Sequence, residues 1–300
     1  MLVGLLVGTG VLLLLAYGAV ALYVADALTR SKQQRVQDTP ASVNLRYEEA
    51  QFLAEDGAIL RGWFLESPGA RATVILIHDI EGTRSDREHG LLRLTRDYVS
   101  HGYHVLTFDL RGRGESICGR DRLGSHELRD VAAAAGYVRE RAGPLPLILH
   151  GFGFGGSLAI EGVAHGVPAQ AVIADSPFTS AREFLRHRWR HIPGHLFRVS
   201  CWIARRVYDA DIDALAPIAV VDAVAPTPIL FIHGDADLDV PPTHTINLAA
   251  ASLNDRNQMW LVPNVGHCGA YLDHPGVYLG RCLEFIEQAV PARLLVATAG

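Results

Sequence analysis

Three features of the chain predict an α/β fold whose sheet is mostly parallel and covered by helices on both faces. Short aliphatic runs alternate with amphipathic stretches from Val43 onward. The motifs richest in glycine and charge fall where those runs end, as they do in open parallel sheets. At Leu147 to Gly156 a buried-type run passes directly into a glycine-rich turn that opens a helix. With 300 residues, the chain suits one domain of ordinary size once an N-terminal segment is set aside.

That segment comes first. Leu2 to Ala25 carries no charged residue and, at helical rise, is long enough to cross a hydrocarbon core of roughly 30 Å. It reads as a transmembrane anchor over residues 1–28, followed by a polar linker over 29–42 and a domain over 43–300. Ala25-Asp26-Ala27 resembles a cleavage site, but no basic residue precedes the apolar run and the run exceeds a usual signal core, which favours an uncleaved anchor. Arg30, Lys32 and Arg35 follow the span, so the positive-inside bias leaves the domain on the cytoplasmic side of a single-pass membrane protein.

Eight strands are expected, near Leu45–Leu53, Ile59–Leu65, Thr73–His78, His104–Asp109, Leu145–His150, Ala171–Ala174, Pro228–His233 and Met259–Val262. Helices are expected near Asp86–His101, His126–Arg141, Gly155–His165, Thr243–Ser252 and Pro275–Val290. A net charge of -5 excludes a nucleic-acid binder, which needs a basic face. Cys118, Cys201, Cys268 and Cys282 are scattered, without the spacing of a zinc site or a disulfide framework.

Six motifs follow strands in order: His78 to Gly82, Asp109 to Ser116, Gly151 to Gly156, Asp175-Ser176-Pro177, His233 to Asp237 with Val240-Pro241, and Gly266-His267. Asp109 to Ser116 reads as structural, its carboxylate and arginines bonding a tight turn. The ordered set from about Val43 to Ala289 resembles the α/β-hydrolase superfamily, in particular serine esterases and peptidases of the prolyl-oligopeptidase-like and S33 types. The resemblance implies an α/β-hydrolase fold with a small helical cap, needing neither cofactor nor metal. It further implies His267 as the triad base, Asp237 as the triad acid, and the amides of Ile80 and Phe154 as the oxyanion hole. Asp235 and Asp239 are rivals for the acid.

One part of the pattern fails. The position of the nucleophilic serine is Gly153, which has no side chain to form an acyl adduct. Ser157 lies one helical turn on and is expected to point into packing, Ser176 belongs to a turn, and Cys268 is expected to point the wrong way for attack. Asp79 stands where the family usually has glycine, and its carboxylate would repel an oxyanion. The chain therefore reads as a pseudo-hydrolase binding a small-molecule ester, amide or acyl ligand, or a protein partner. The alternative is a hydrolase that uses water activated by His267 and Asp237, or an unrecognised nucleophile. Restoring serine at Gly153 is expected to restore esterase activity.

The cap is expected over 178–214. Between Phe178 and Arg206 it carries seven arginines against the single acid Glu183, with Trp189, Phe197 and Trp202 interleaved, a composition suited to a lid lying on anionic lipid. Nothing in the sequence sets an oligomeric state.

Overall fold

The computed structural model describes residues 2–31, 33–117, 120 and 122–290; Lys32, Cys118 and positions 291–300 lie outside the described residues. The strands are β1 Glu48–Leu53, β2 Ile59–Leu65, β3 Ala72–Ile77, β4 Tyr103–Phe108, β5 Leu147–Phe152, β6 Ala171–Asp175, β7 Ile229–Gly234 and β8 Gln258–Val262. They form one sheet in the order β1-β2-β4-β3-β5-β6-β7-β8. β1 with β2 and β2 with β4 are antiparallel, and every other pair is parallel. The central strands β3, β5, β6 and β7 are buried at every residue, which is why they read as unbroken aliphatic runs rather than alternating ones.

The helices are α1 Leu2–Thr29, α2 Leu91–Ser100, α3 Glu127–Ala142, α4 Phe154–Ala164, α5 Ala181–Arg188, α6 Gly194–Val207, α7 Pro217–Val220, α8 Thr243–Ala251, α9 Ala270–Asp273 and α10 Pro275–Ala289. Val131 and Val138 of α3 and Leu158 and Ile160 of α4 fill the core on one side of the sheet. On the other, Leu91, Leu94 and Tyr98 of α2 pack with Tyr278, Phe285 and Ile286 of α10. The α2 helix begins at Leu91 and not at the expected Asp86. The Asp86 carboxylate instead accepts the amides of Glu88 at 2.8 Å and His89 at 3.3 Å, and that local turn competes with helix.

α1 is the one described helix long and apolar enough to cross a membrane. Its first half stands clear of the rest of the chain, with Leu2 to Leu15 largely exposed. Its last turns do not. Ala21, Val24, Ala25 and Leu28 are buried, Tyr17 stacks on His195 of α6 at 5.9 Å, and Asp26 pairs with Arg120 at 2.7 Å. The segment behind it, expected as a polar linker, is fastened to the domain. Ser31 donates to the Gly112 carbonyl, Gln33 to the Gly114 carbonyl at 2.9 Å, and the Gln37 amide to Ser85 Oγ at 3.2 Å.

Candidate active site

β5 delivers the chain into the sharp turn at Gly153, whose φ of 51° and ψ of -111° are unfavourable for any residue with a β-carbon. The turn also needs close approach. A β-carbon on Gly155 would overlap the backbone carbonyl of Ile77 at the end of β3, so small residues let β5 and α4 sit against the neighbouring strand. Ser157 points into packing, as expected, accepting the Phe178 amide at 3.0 Å.

The space that a side chain at position 153 would need is taken by Asp79, from the loop after β3. A β-carbon built on Gly153 would overlap Oδ1 of Asp79 outright. That oxygen accepts the amide N–H of Phe154 at 2.7 Å, and Oδ2 lies 3.4 Å from His267 Nε2. On the far side of the ring, His267 Nδ1 is 2.7 Å from Asp237 Oδ2. Asp237 is fixed by the amides of Asp239 at 2.9 Å and Val240 at 2.8 Å on its other oxygen. Of the three candidate acids, only Asp237 meets the imidazole. Asp235 caps a turn through the Asn264 amide at 2.6 Å.

These contacts set the charges. Burial opposes ionisation of Asp79, but the His267 hydrogen bond and charge outweigh it and hold the carboxyl well below its usual range. Asp237 is held down likewise, burial being overcome by His233 and His267. For His267, burial works against the cation; the Cys268 sulfur and then Asp237 and Asp79 reverse this and raise its pKa far above the ordinary value. Burial pushes the Cys268 thiol itself up to about 12, so the thiol is neutral near pH 7 and the two carboxylates are the charges that hold the imidazolium. The unit is an imidazole held between two carboxylates, an arrangement that favours its protonated form.

Asp79 and His267 form part of the wall of a cavity of about 590 Å³, shared with Gln34, Arg35 and Gln37 of the N-terminal segment, the β3–α2 loop, and Phe184 and Arg188 of α5. Asp79 and His267 are each 14% exposed there, so both are reachable from the cavity. A second histidine–carboxylate pair, His89 Nδ1 to Asp86 Oδ2 at 2.7 Å, lines the same space with its ring edge-on to His267 at 6.2 Å. Against burial, Asp86 raises the pKa of His89. No described group of three or more His, Cys, Asp or Glu is arranged to hold a metal.

The remaining expected residues fall as follows. The turn bearing Ile80 adjoins Phe154 around a small pocket, and the Ile80 carbonyl accepts Arg113. Ser176 is buried in its turn, donating to Asp175 at 3.1 Å and accepting the Cys268 amide at 3.2 Å. Cys268 corrects an expectation. Its φ of 49° turns the side chain back, and Sγ lies 3.6 Å from His267 Nε2 rather than pointing away, although it is buried and protonated. Two features escaped the sequence reading: Asp79 as occupant of the serine's place, and the His89–Asp86 pair. The signal for the first was a reciprocal exchange, an acid where glycine is usual at Asp79 and glycine where serine is usual at Gly153.

Comparison with known proteins agrees with this fold. The prolyl oligopeptidase family model matches residues 92–292, a span that contains Gly153, Asp237 and His267 and begins after Asp79. The uncharacterized protein YfhR of Escherichia coli O157:H7 is 30% identical over 253 residues, 81% of this chain and 81% of that one. The lysophosphatidylserine lipase ABHD12 of Danio rerio is 30% identical over 189 residues, 60% of this chain and 47% of that protein. The Pyrococcus furiosus esterase Pf2001 superposes with a TM-score of 0.72 over 87% of this chain and 100% of its own at 20% identity, a likeness of fold. With two thirds of its length matched by one family model, on an α/β-hydrolase sheet, the chain belongs to the prolyl oligopeptidase family.

Proposed function

We propose that this chain is a membrane-anchored pseudo-hydrolase, which binds a small ester, amide or acyl compound beside His267 without cleaving it through a serine acyl-enzyme. The observation that carries the reading is the Asp79 carboxylate in the space a nucleophilic side chain would need, hydrogen-bonded to the amide of Phe154. An acyl oxyanion would have to displace that carboxylate from a donor already in use. Ligands of this class are suggested by the esterase neighbours and by a relative named as a lysophosphatidylserine lipase. Water activated by His267 is the weaker reading, because its Nε2 faces a carboxylate and keeps its proton.

In this reading the exposed first half of α1 enters the bilayer while its last turns stay packed on the domain, and its charged flank holds the domain on the cytoplasmic side. α5 and α6 form a cap beside the anchor, where Arg190, Arg198 and Trp202 are exposed toward anionic headgroups. The test is the full chain reconstituted in vesicles of each orientation and offered nitrophenyl esters of short and long acyl chains. The expected result is a rise in the domain's melting temperature without nitrophenol release, and protease cleavage only where the cytoplasmic face is outward. Nitrophenol release by the native chain that disappears in His267→Ala would defeat the pseudo-hydrolase reading.

A further inference from the structure

α1 does not leave the domain alone. It packs along α6, and the two helices run in the same direction: Tyr17 stacks on His195 at the start of α6 at 5.9 Å, while at the other end Arg120 pairs with Asp26 at 2.7 Å and lies 3.9 Å over the ring of Tyr208, just past α6. The part of α6 nearest the exposed half of α1 is therefore its first turn, with the α5–α6 turn from Trp189 to His195 beside it. Beyond Tyr17, α1 buries Ala21, Val24, Ala25 and Leu28 yet leaves Val20, Leu22 and Tyr23 exposed on its outer face. That apolar strip ends at Asp26, the first charged residue of the helix. We propose that the α5–α6 turn and the first two turns of α6 are inserted beside α1 in the interfacial layer of the bilayer. This rests on the membrane-anchored reading and goes beyond it, because uncovered apolar surface sets the depth whatever the charge of the lipid.

The levels agree. Tyr23 lies six residues past Tyr17 and Trp202 seven past His195, about 9 and 10 Å at helical rise, so two exposed aromatic rings stand at one height. Tyrosine and tryptophan at a common level mark a membrane–water boundary. The turn, deeper than those rings, is built for the layer between. Arg186 donates to the carbonyls of Trp189 at 3.1 Å and Ile192 at 2.9 Å, which satisfies backbone that would otherwise need water. Trp189 stacks on His191 at 5.8 Å, and no acidic residue occurs from Phe184 to Tyr208. Arg190 and Arg198 are exposed, and their long stems can lie among acyl chains while the charges reach phosphate. Arg188, one residue before the turn, pairs with Glu81 in the wall of the cavity, so the depth of the turn sets how the site meets the bilayer.

The experiment uses the full chain reconstituted in phosphatidylcholine vesicles, with and without phosphatidylglycerol, that carry lipids brominated near the head or near the tail of the acyl chain. The share of fluorescence from each ring is read as the difference between the native chain and Trp189→Phe or Trp202→Phe, with the buried Trp63 as internal reference. Trp189 is expected to lose fluorescence to the shallow bromines in both kinds of vesicle, and Trp202 to lose less. Gly194→Glu adds a charge where a β-carbon meets open space, and is expected to reduce the loss at Trp189 while the chain still floats with the vesicles. Three results would overturn the proposal: flotation with both rings unquenched, quenching only when phosphatidylglycerol is present, or a Trp202 shielded by a second copy from bromines and aqueous iodide alike. A chain that does not float at all defeats the membrane-anchored reading itself, and the proposal with it.

Discussion

Serine at position 153 alone is expected to give a nearly inactive protein, whereas Asp79→Gly with Gly153→Ser is expected to hydrolyse nitrophenyl acetate with a burst of nitrophenol. In the single variant, the new β-carbon meets Asp79 Oδ1 and must drive the carboxylate aside. It also sits at φ 51°, where a non-glycine residue costs about 1 to 3 kcal/mol. The displaced carboxylate stays near the Phe154 amide and repels a developing oxyanion. Removing it frees that donor, worth about a hundred- to a thousandfold in turnover, and leaves His267 with Asp237 as its one carboxylate partner, free to act as base. The double variant should therefore exceed Gly153→Ser by about that factor. Fluorophosphonate labelling mapped to position 153 checks it. Equal activity in the single and double variants would mean that Asp79 does not obstruct the site, and the expectation from sequence that serine alone suffices would stand.

Asp109→Ala is expected to destabilise the domain by about 3 kcal/mol, measured by chemical unfolding of the full chain in detergent. Asp109 follows β4 fully buried and accepts the Arg84 amide at 2.7 Å, the Arg84 guanidinium at 3.0 Å and the Glu115 amide at 2.9 Å. Removing one partner of a buried ion pair costs about 3 to 5 kcal/mol, chiefly through the charge left behind. The lower figure applies because Arg84 keeps Glu115 at 2.5 Å. Arg84 belongs to the β3–α2 loop that carries Asp79, so the same substitution should loosen the site. A change under about 1 kcal/mol would place the pair among surface bridges in effect, and would remove it as the support of that loop.

Much of this was legible because the strands of a parallel sheet, buried on both faces, spell themselves as runs such as Leu147-Ile148-Leu149. The sharp turn at Gly153 and the pairing of Asp237 with His267 were expected from motif order, and the geometry brings that pair together. Three things were not, for separate reasons. The meeting of Asp79 with Gly153 joins residues just past the ends of the adjacent strands β3 and β5, and it depends on strand order and register, which local pattern does not encode. The packing of Ala21 to Leu28 on α6 was hidden because an apolar face looks the same whether lipid or protein covers it. The direction of Cys268 follows from a left-handed backbone at a residue whose type does not announce one.

The account rests on the carboxylate pair around His267, and the titration of that imidazole tests it most directly. Histidine-labelled full chain, with the His267 resonance assigned by its loss in His267→Gln, would be followed by NMR from acid to alkaline pH. The folded pKa lies above the unfolded value of about 6.5. The stabilisation from this arrangement is therefore complete between the unfolded carboxylate value of about 3.9 and that value, is lost as pH rises through the higher folded pKa of His267, and is lost at the acid end as pH falls through the lowered folded pKa values of Asp79 and Asp237. The expected result is an imidazole still protonated well above neutrality, whose pKa falls when Asp79 becomes asparagine. An imidazole that titrates near 6.5 in the native chain and does not respond to Asp79→Asn would contradict the account.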